Sequence, residues 1–273
     1  MASPRIGTCH ICGAYGELTF EHVPPQSAFN MHRILQADVW KLISRGNLDE
    51  PRGRIQQRGS GAFTLCKSCN SRTGSWYGTA YAEWARQAMS IIIGTRGQPS
   101  LMYPFNLFPL RVLKQVVCMF FSINGPSFQE AQPDLARFVL NRESREFPDH
   151  VRIYAFYTFG DRSRAAGISG LIKGLGTIAP DFHTISEITF PPFGFVMALG
   201  SHKSPDPRLE DISGFSAFEY KDWRVGISMR LPIMPIYTAY PGDYRTREQT
   251  LSDADANKRR MADHLSLYRR FSI

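Results

Sequence analysis

The chain has 273 residues, 43% of them apolar, and a formal net charge of +8. That length allows one large domain, or a small module joined to a domain of ordinary size, and the apolar share is enough for a real core. No stretch is long and apolar enough to span a bilayer, and an odd count of five cysteines, four of them in two CxxC pairs, argues against a disulfide scaffold.

In chain order, residues 8–16 read as a zinc knuckle, with Gly13 and Gly16 permitting the turns that wrap thiolates around a metal. Residues 17–22 read as a short strand, and Pro24-Pro25 forbids its continuation. Apolar residues at Ile34, Leu35, Val39, Leu42 and Ile43 predict a helix over 31–45. Residues 47–61 are polar, rich in Gly and Arg, and read as a mobile basic loop; residues 63–65 predict a second short strand. A helix is expected over 75–93, with Trp76, Tyr77, Tyr81 and Trp84 as core residues packing the first unit against the second. Gly94, Gly97, Pro99 and Pro104 mark a joint, dividing the chain into 1–94 and 95–273.

Beyond the joint, helices are expected over 109–123 and from Pro133, where Leu135, Phe138 and Val139 line one side. Strands are predicted at 151–159, 184–190, 195–199, 215–220 and 225–229, with Gly and Pro turns between several of them. The tail over 252–271 reads as a helix with Ser252 as N-cap and a basic body. The resulting fold class is α+β: a metal-stapled N-terminal module and a mixed α+β domain with short antiparallel strands. The first residues lack the apolar run of a signal peptide, so a cytoplasmic protein without a membrane is expected.

The residues that carry chemistry lie in the first unit. Cys9-x-x-Cys12 and Cys66-x-x-Cys69 can supply four thiolates to one tetrahedral Zn2+, a staple for a module with little core of its own. Glu21-His22 closes the predicted strand between them. A carboxylate suits Mg2+ or Mn2+, and a neutral imidazole suits a general base. Asn70 follows Cys69 at the expected start of the last helix, where its side chain can be a hard oxygen ligand or an N-cap. Arg72 is placed to reach a phosphate, with the amides of Asn70 and Ser71 offered to the same anion. His10 reads as a bystander in the knuckle and His32 as a reserve ligand. Basic charge suits a polyanionic partner, although here it is spread along the chain.

The segments Glu21-His22-Val23-Pro24-Pro25-Gln26-Ser27 and Leu65-Cys66-Lys67-Ser68-Cys69-Asn70 resemble the HNH (ββα-metal) endonuclease family, with Cys9 and Cys12 standing where its zinc-stapled members carry a knuckle. The resemblance covers about residues 5–80. It implies a structural Zn2+ on Cys9, Cys12, Cys66 and Cys69, a catalytic Mg2+ or Mn2+ on Glu21 and Asn70, His22 as general base and Arg72 beside the phosphate. The implied reaction is phosphodiester hydrolysis, with DNA as the expected nucleic-acid partner and a homodimer or a regulatory protein as further partners. Two departures stand out. Glu replaces the commoner Asp, and Gly61 occupies the position of the family's middle Asn, for which Asn47 or Gln57 could substitute if the loop folds back. Two other readings compete: a catalytically silent nucleic-acid-binding protein that kept the zinc fold, and a partner-controlled nuclease effector of a bacterial antiviral system.

Overall fold

The N-terminal part is a three-stranded antiparallel sheet followed directly by a helix. In the computed structural model, which describes residues 4–38, 53–96, 102–158, 163–173, 181–200 and 204–234, β1 (Arg5–Thr8), β2 (Tyr15–His22) and β5 (Gly61–Cys66) pair in the order β1-β2-β5. A separate two-stranded ribbon, β3 (Ile34–Gln36) with β4 (Arg54–Gln56), lies between β2 and β5 in the chain. The helix expected over 31–45 is therefore not present in its described portion. Ile34 pairs with Gln56 and Gln36 with Arg54, a long-range ladder that outweighs a helical spacing of apolar residues. Residues 39–52, which include Asn47, lie outside the described residues. The expected basic loop is likewise part strand, because Arg54–Gln56 is β4.

Helix α1 (Lys67–Thr73) starts immediately after β5. Cys66 is its N-cap, in an extended conformation, with Sγ accepting from the Cys69 amide at 3.5 Å. The helix thus begins well before residue 75, where it was expected. It continues through one π turn (Gly74–Gly78) into α2 (Thr79–Gly94). Strand β6 (Met102–Leu107), in the expected joint, pairs with β12 (Arg224–Arg230). The predicted helices appear as α3 (Pro109–Asn124) and α5 (Pro133–Leu140), with a short α4 (Pro126–Ala131) between them. Each has proline in its first turn, where a missing N–H costs nothing. Helix α3 is buried on nearly every side, as a helix inside a core must be.

A five-stranded antiparallel sheet closes the molecule: β11 (Glu210–Asp211), β7 (Val151–Tyr157), β10 (Phe193–Leu199), β9 (Asp181–Phe190) and β8 (Arg164–Lys173), in that order. The expected strand over 215–220 is instead a 3-10 turn (Ser213–Ala217). Ser213 Oγ accepts from the Ile153 amide while its own amide donates to Asp211, which curls the segment under the sheet edge. The tail over 252–271 lies outside the described residues.

Trp84 stacks on Phe193 at 3.9 Å, Tyr157 lies parallel to Phe193 at 6.0 Å, and Tyr81 meets Phe193 and Phe195 edge-on or tilted. The aromatics of α2 are therefore core, as expected, and they pack on the sheet. One hydrophobic cluster runs without a break from Cys9 and Leu65 through α2 and α3 to Phe195 and Leu231. Lys114 is fully buried on α3. Its ammonium donates to the carbonyls of Phe138 and Asn141 at 2.6 and 2.7 Å, and burial lowers its pKa to about 8. Among the described residues no helix is long and apolar enough to cross a membrane.

Candidate metal centre and its flanking strand end

The four cysteines converge. Cys9 and Cys12 sit in the turn between β1 and β2, and Cys66 and Cys69 sit where β5 becomes α1. Their Sγ atoms all lie within 4.8 Å of one another, with Cys12 and Cys66 at 3.9 Å. Four sulfurs at the usual Zn–S distance of about 2.3 Å, arranged as a tetrahedron, stand about 3.8 Å apart, so the cluster fits a single zinc ion. All five cysteines are free of disulfides. The thiols already share protons unequally: a hydrogen bond from Cys69 lowers the Cys9 pKa to about 4, while Cys69 is raised, first by that same bond and then by burial. A hydrogen bond that favours one thiolate suits a site for a cation, since thiolates are the form that binds it. His10 takes no part. Its Nδ1 lies 3.2 and 3.1 Å from the carbonyls of Phe121 and Ser122, which ties the knuckle to α3.

Glu21 and His22 end β2 and point to opposite sides, as successive strand residues do. Just before them, the strand is tied to α1. Asn70 Nδ2 donates to Thr19 Oγ1 at 2.9 Å and to the Phe20 carbonyl at 3.2 Å, and Thr19 in turn donates to the Leu65 carbonyl. Because a carbonyl can only accept, Nδ2 must face the strand, and Oδ1 is the atom left over. Asn70 is the fourth residue of α1, so the N-cap alternative does not hold; Cys66 fills that position. The amides of Asn70 and Ser71 follow within the helix rather than at its open end, so the expected offer to an anion is not met. Glu21 is 8% exposed, and burial raises its pKa to about 7. Among the described residues its carboxylate makes no hydrogen bond or ion pair. A buried carboxylate without a partner is costly, and a hard divalent cation relieves that cost. A carboxylate and an amide oxygen, as on Glu21 and Asn70, are donor types that a hard cation such as Mg2+ or Mn2+ accepts. Burial, reinforced by the Glu21 charge, also pushes up the Cys118 thiol on α3.

His22 lies on the other side with Phe20, whose ring meets it edge-on at 4.9 Å. His22 Nε2 is 3.0 Å from the Arg58 carbonyl. Burial lowers its pKa, which keeps the ring neutral near pH 7. Since the Arg58 oxygen can only accept, Nε2 carries the proton and Nδ1 is the basic nitrogen.

The residue that holds this arrangement was not visible in the sequence motifs. Asn30, 1% exposed, donates from Nδ2 to the carbonyls of Pro24 (2.6 Å) and Ser60 (2.7 Å) and accepts from the Ser60 amide (2.6 Å). It clamps the segment just after Arg58 to the segment just after His22. A polar residue following Ala28-Phe29 carries no spacing signal that would have found it. Gly61 faces His22 across the ladder and lies under Phe20: a Cβ there would stand 2.2 Å from the Glu21 carbonyl oxygen and 2.7 Å from the Phe20 ring. Arg72 is exposed and donates to Ser68 Oγ at 2.7 Å, one turn back along α1. His32 is exposed beyond Asn30 and is not part of the cysteine cluster.

Comparison with protein-family models, with curated proteins and with solved structures returns no match.

Proposed function

We propose that the chain is a metal-dependent endonuclease of the HNH type, hydrolysing phosphodiester bonds in nucleic acid, with DNA as the favoured substrate. The observation that carries this reading is the β2–β5–α1 unit: two antiparallel strands and a helix, capped by four converging sulfurs, with Glu21 and His22 at the strand end and Asn70 bonded to the residues just before them. Zn2+ on Cys9, Cys12, Cys66 and Cys69 fixes the hinge between β5 and α1 and thereby the position of Asn70.

Glu21 and Asn70 would hold the catalytic divalent ion, which when bound supplies positive charge at the scissile phosphate and the leaving oxygen. His22 Nδ1, neutral and unprotonated, takes a proton from the attacking water. The Arg58 carbonyl orients the ring, a task that the family's middle Asn performs through its loop and that Gly61 lacks a side chain to perform. Arg72 can swing from Ser68 toward a bound phosphate. The loop contact at His22 favours an active enzyme over the catalytically silent alternative.

His22→Ala should slow plasmid cleavage in Mg2+ or Mn2+ by about 100-fold or more, with zinc content unchanged. Parental cutting by that variant removes His22 from the mechanism. Nucleic-acid binding without nicking by the parent supports the silent reading, and cutting only after a partner is added supports the controlled effector.

A further inference from the structure

The side of the β1-β2-β5 sheet that carries His22 also carries a small aromatic surface. Phe63 is 47% exposed, and Phe20 braces it edge-on at 5.5 Å. The Arg5 guanidinium stands 5.9 Å from the centre of the Phe63 ring, and Phe20 in turn touches His22. Arg54 and Arg58, both exposed, add charge to the same module. A single exposed phenylalanine means little. A ring flanked by a guanidinium and braced by the same phenylalanine that touches a candidate base is a different object.

We propose that Phe63, with Phe20 and Arg5, is a stacking platform for an unpaired nucleobase, so that this site takes single-stranded nucleic acid. The inference rests on the nuclease reading for the role of His22, but the platform itself is a binding property. The ring offers a π face that any base can cover, and Arg5 offers charge to the adjacent phosphate and a second planar group. Duplex bases present only their edges in the grooves and cannot lie on the ring. Stacking of this kind is tolerant of sequence, so the platform is indifferent to base identity.

The test is binding of fluorescently labelled 12-mers (oligo-dT, oligo-rU and a DNA duplex) to the full chain at low salt without added divalent ion. The parent should bind the single strands more tightly than the duplex. Phe63→Ala should weaken single-strand binding about tenfold and leave duplex binding unchanged, while Phe63→Trp should restore it. The introduced indole, measured against the parent's own emission, should be quenched when a single strand binds and unchanged with duplex. Phe182→Ala, which removes another exposed ring on β9, should have no effect. Equal affinity of Phe63→Ala and parent for single strands, or an unquenched signal from the introduced indole, overturns the platform. Should Phe63→Ala fail to retain zinc, Arg5→Gln and the emission of the Phe63→Trp protein decide the matter. The DNA and RNA arms identify which strand is taken. Cleavage lost in His22→Ala with no platform effect leaves the nuclease reading intact; platform binding without any cleavage removes that reading and keeps the platform.

Discussion

The two ends of the helix that runs from α1 into α2 are held by different physics. At its start, Cys66 and Cys69 belong to a cluster of four sulfurs at the margin of the core. Several turns further on, Trp84 is wedged against Phe193 and Phe195 with no exposure. The first end is set by a few sulfur atoms brought together at one point. The second end is set by many small contacts, none individually decisive. If the sulfurs hold a metal, as proposed, they give the first kind of anchor fixed bond lengths, which packing contacts do not have.

Cys66→Ser should break this contrast most severely. Structural zinc sites contribute on the order of 10 kcal/mol, so the variant should lose its zinc and its amide protection in β1, β2, β5 and α1. Strands β7, β9 and β10 should keep theirs; hydrogen exchange with metal analysis reads both. Trp84→Ala is the converse. It should cost about 3–5 kcal/mol and lower the thermal midpoint while zinc content matches the parent's. Loss of zinc in that variant would mean that the two ends are not separately held.

Asn30→Ala sharpens the comparison within the first end. It removes three hydrogen bonds, one buried and two part-buried, and should cost about 1–3 kcal/mol, with cleavage falling because Arg58 no longer holds His22, and with the sulfur cluster intact. Full activity in a zinc-loaded Asn30→Ala protein would separate the clamp from the site.

The smallest effect tests the packed end by pH. Burial depresses the Lys114 pKa to about 8, below its usual value of 10.5. Between these values the unfolded chain binds more protons than the folded one, so stability rises as pH increases through that window, by about 1 kcal/mol per pH unit. Denaturant midpoints from about pH 8 to 10 should climb in the parent relative to Lys114→Met. Parallel profiles would show that the buried amine keeps its ordinary affinity for protons.

The four converging sulfurs were legible because spacing alone encodes each pair: a CxxC turn brings two sulfurs to one point wherever it folds. Glu21-His22 was legible as a pair, and the alternation of strand side chains accounts for their separation onto two faces. Asn70 was visible as a residue but not in its setting, because the helix start depends on the Cys66 sulfur acting as cap. Helices α3 and α5 announced themselves through proline at the start and an apolar stripe. Strand β8, with two glycines and an alternation broken by a register shift between Ala166 and Ser169, offered no such pattern. The pairing of β3 with β4, the β6–β12 ribbon and the Asn30 clamp join residues far apart in the chain, and short-range periodicity has no access to them.

Gly61 bears on what the strand end can hold. The obstacle to a side chain there is partly the Phe20 ring, which substitution could shrink, and partly the Glu21 backbone oxygen, which no substitution can remove. A chain that keeps this strand register has a position closed to asparagine, and placing one there would first require β5 to slide against β2, carrying Phe63 and Cys66 out of place.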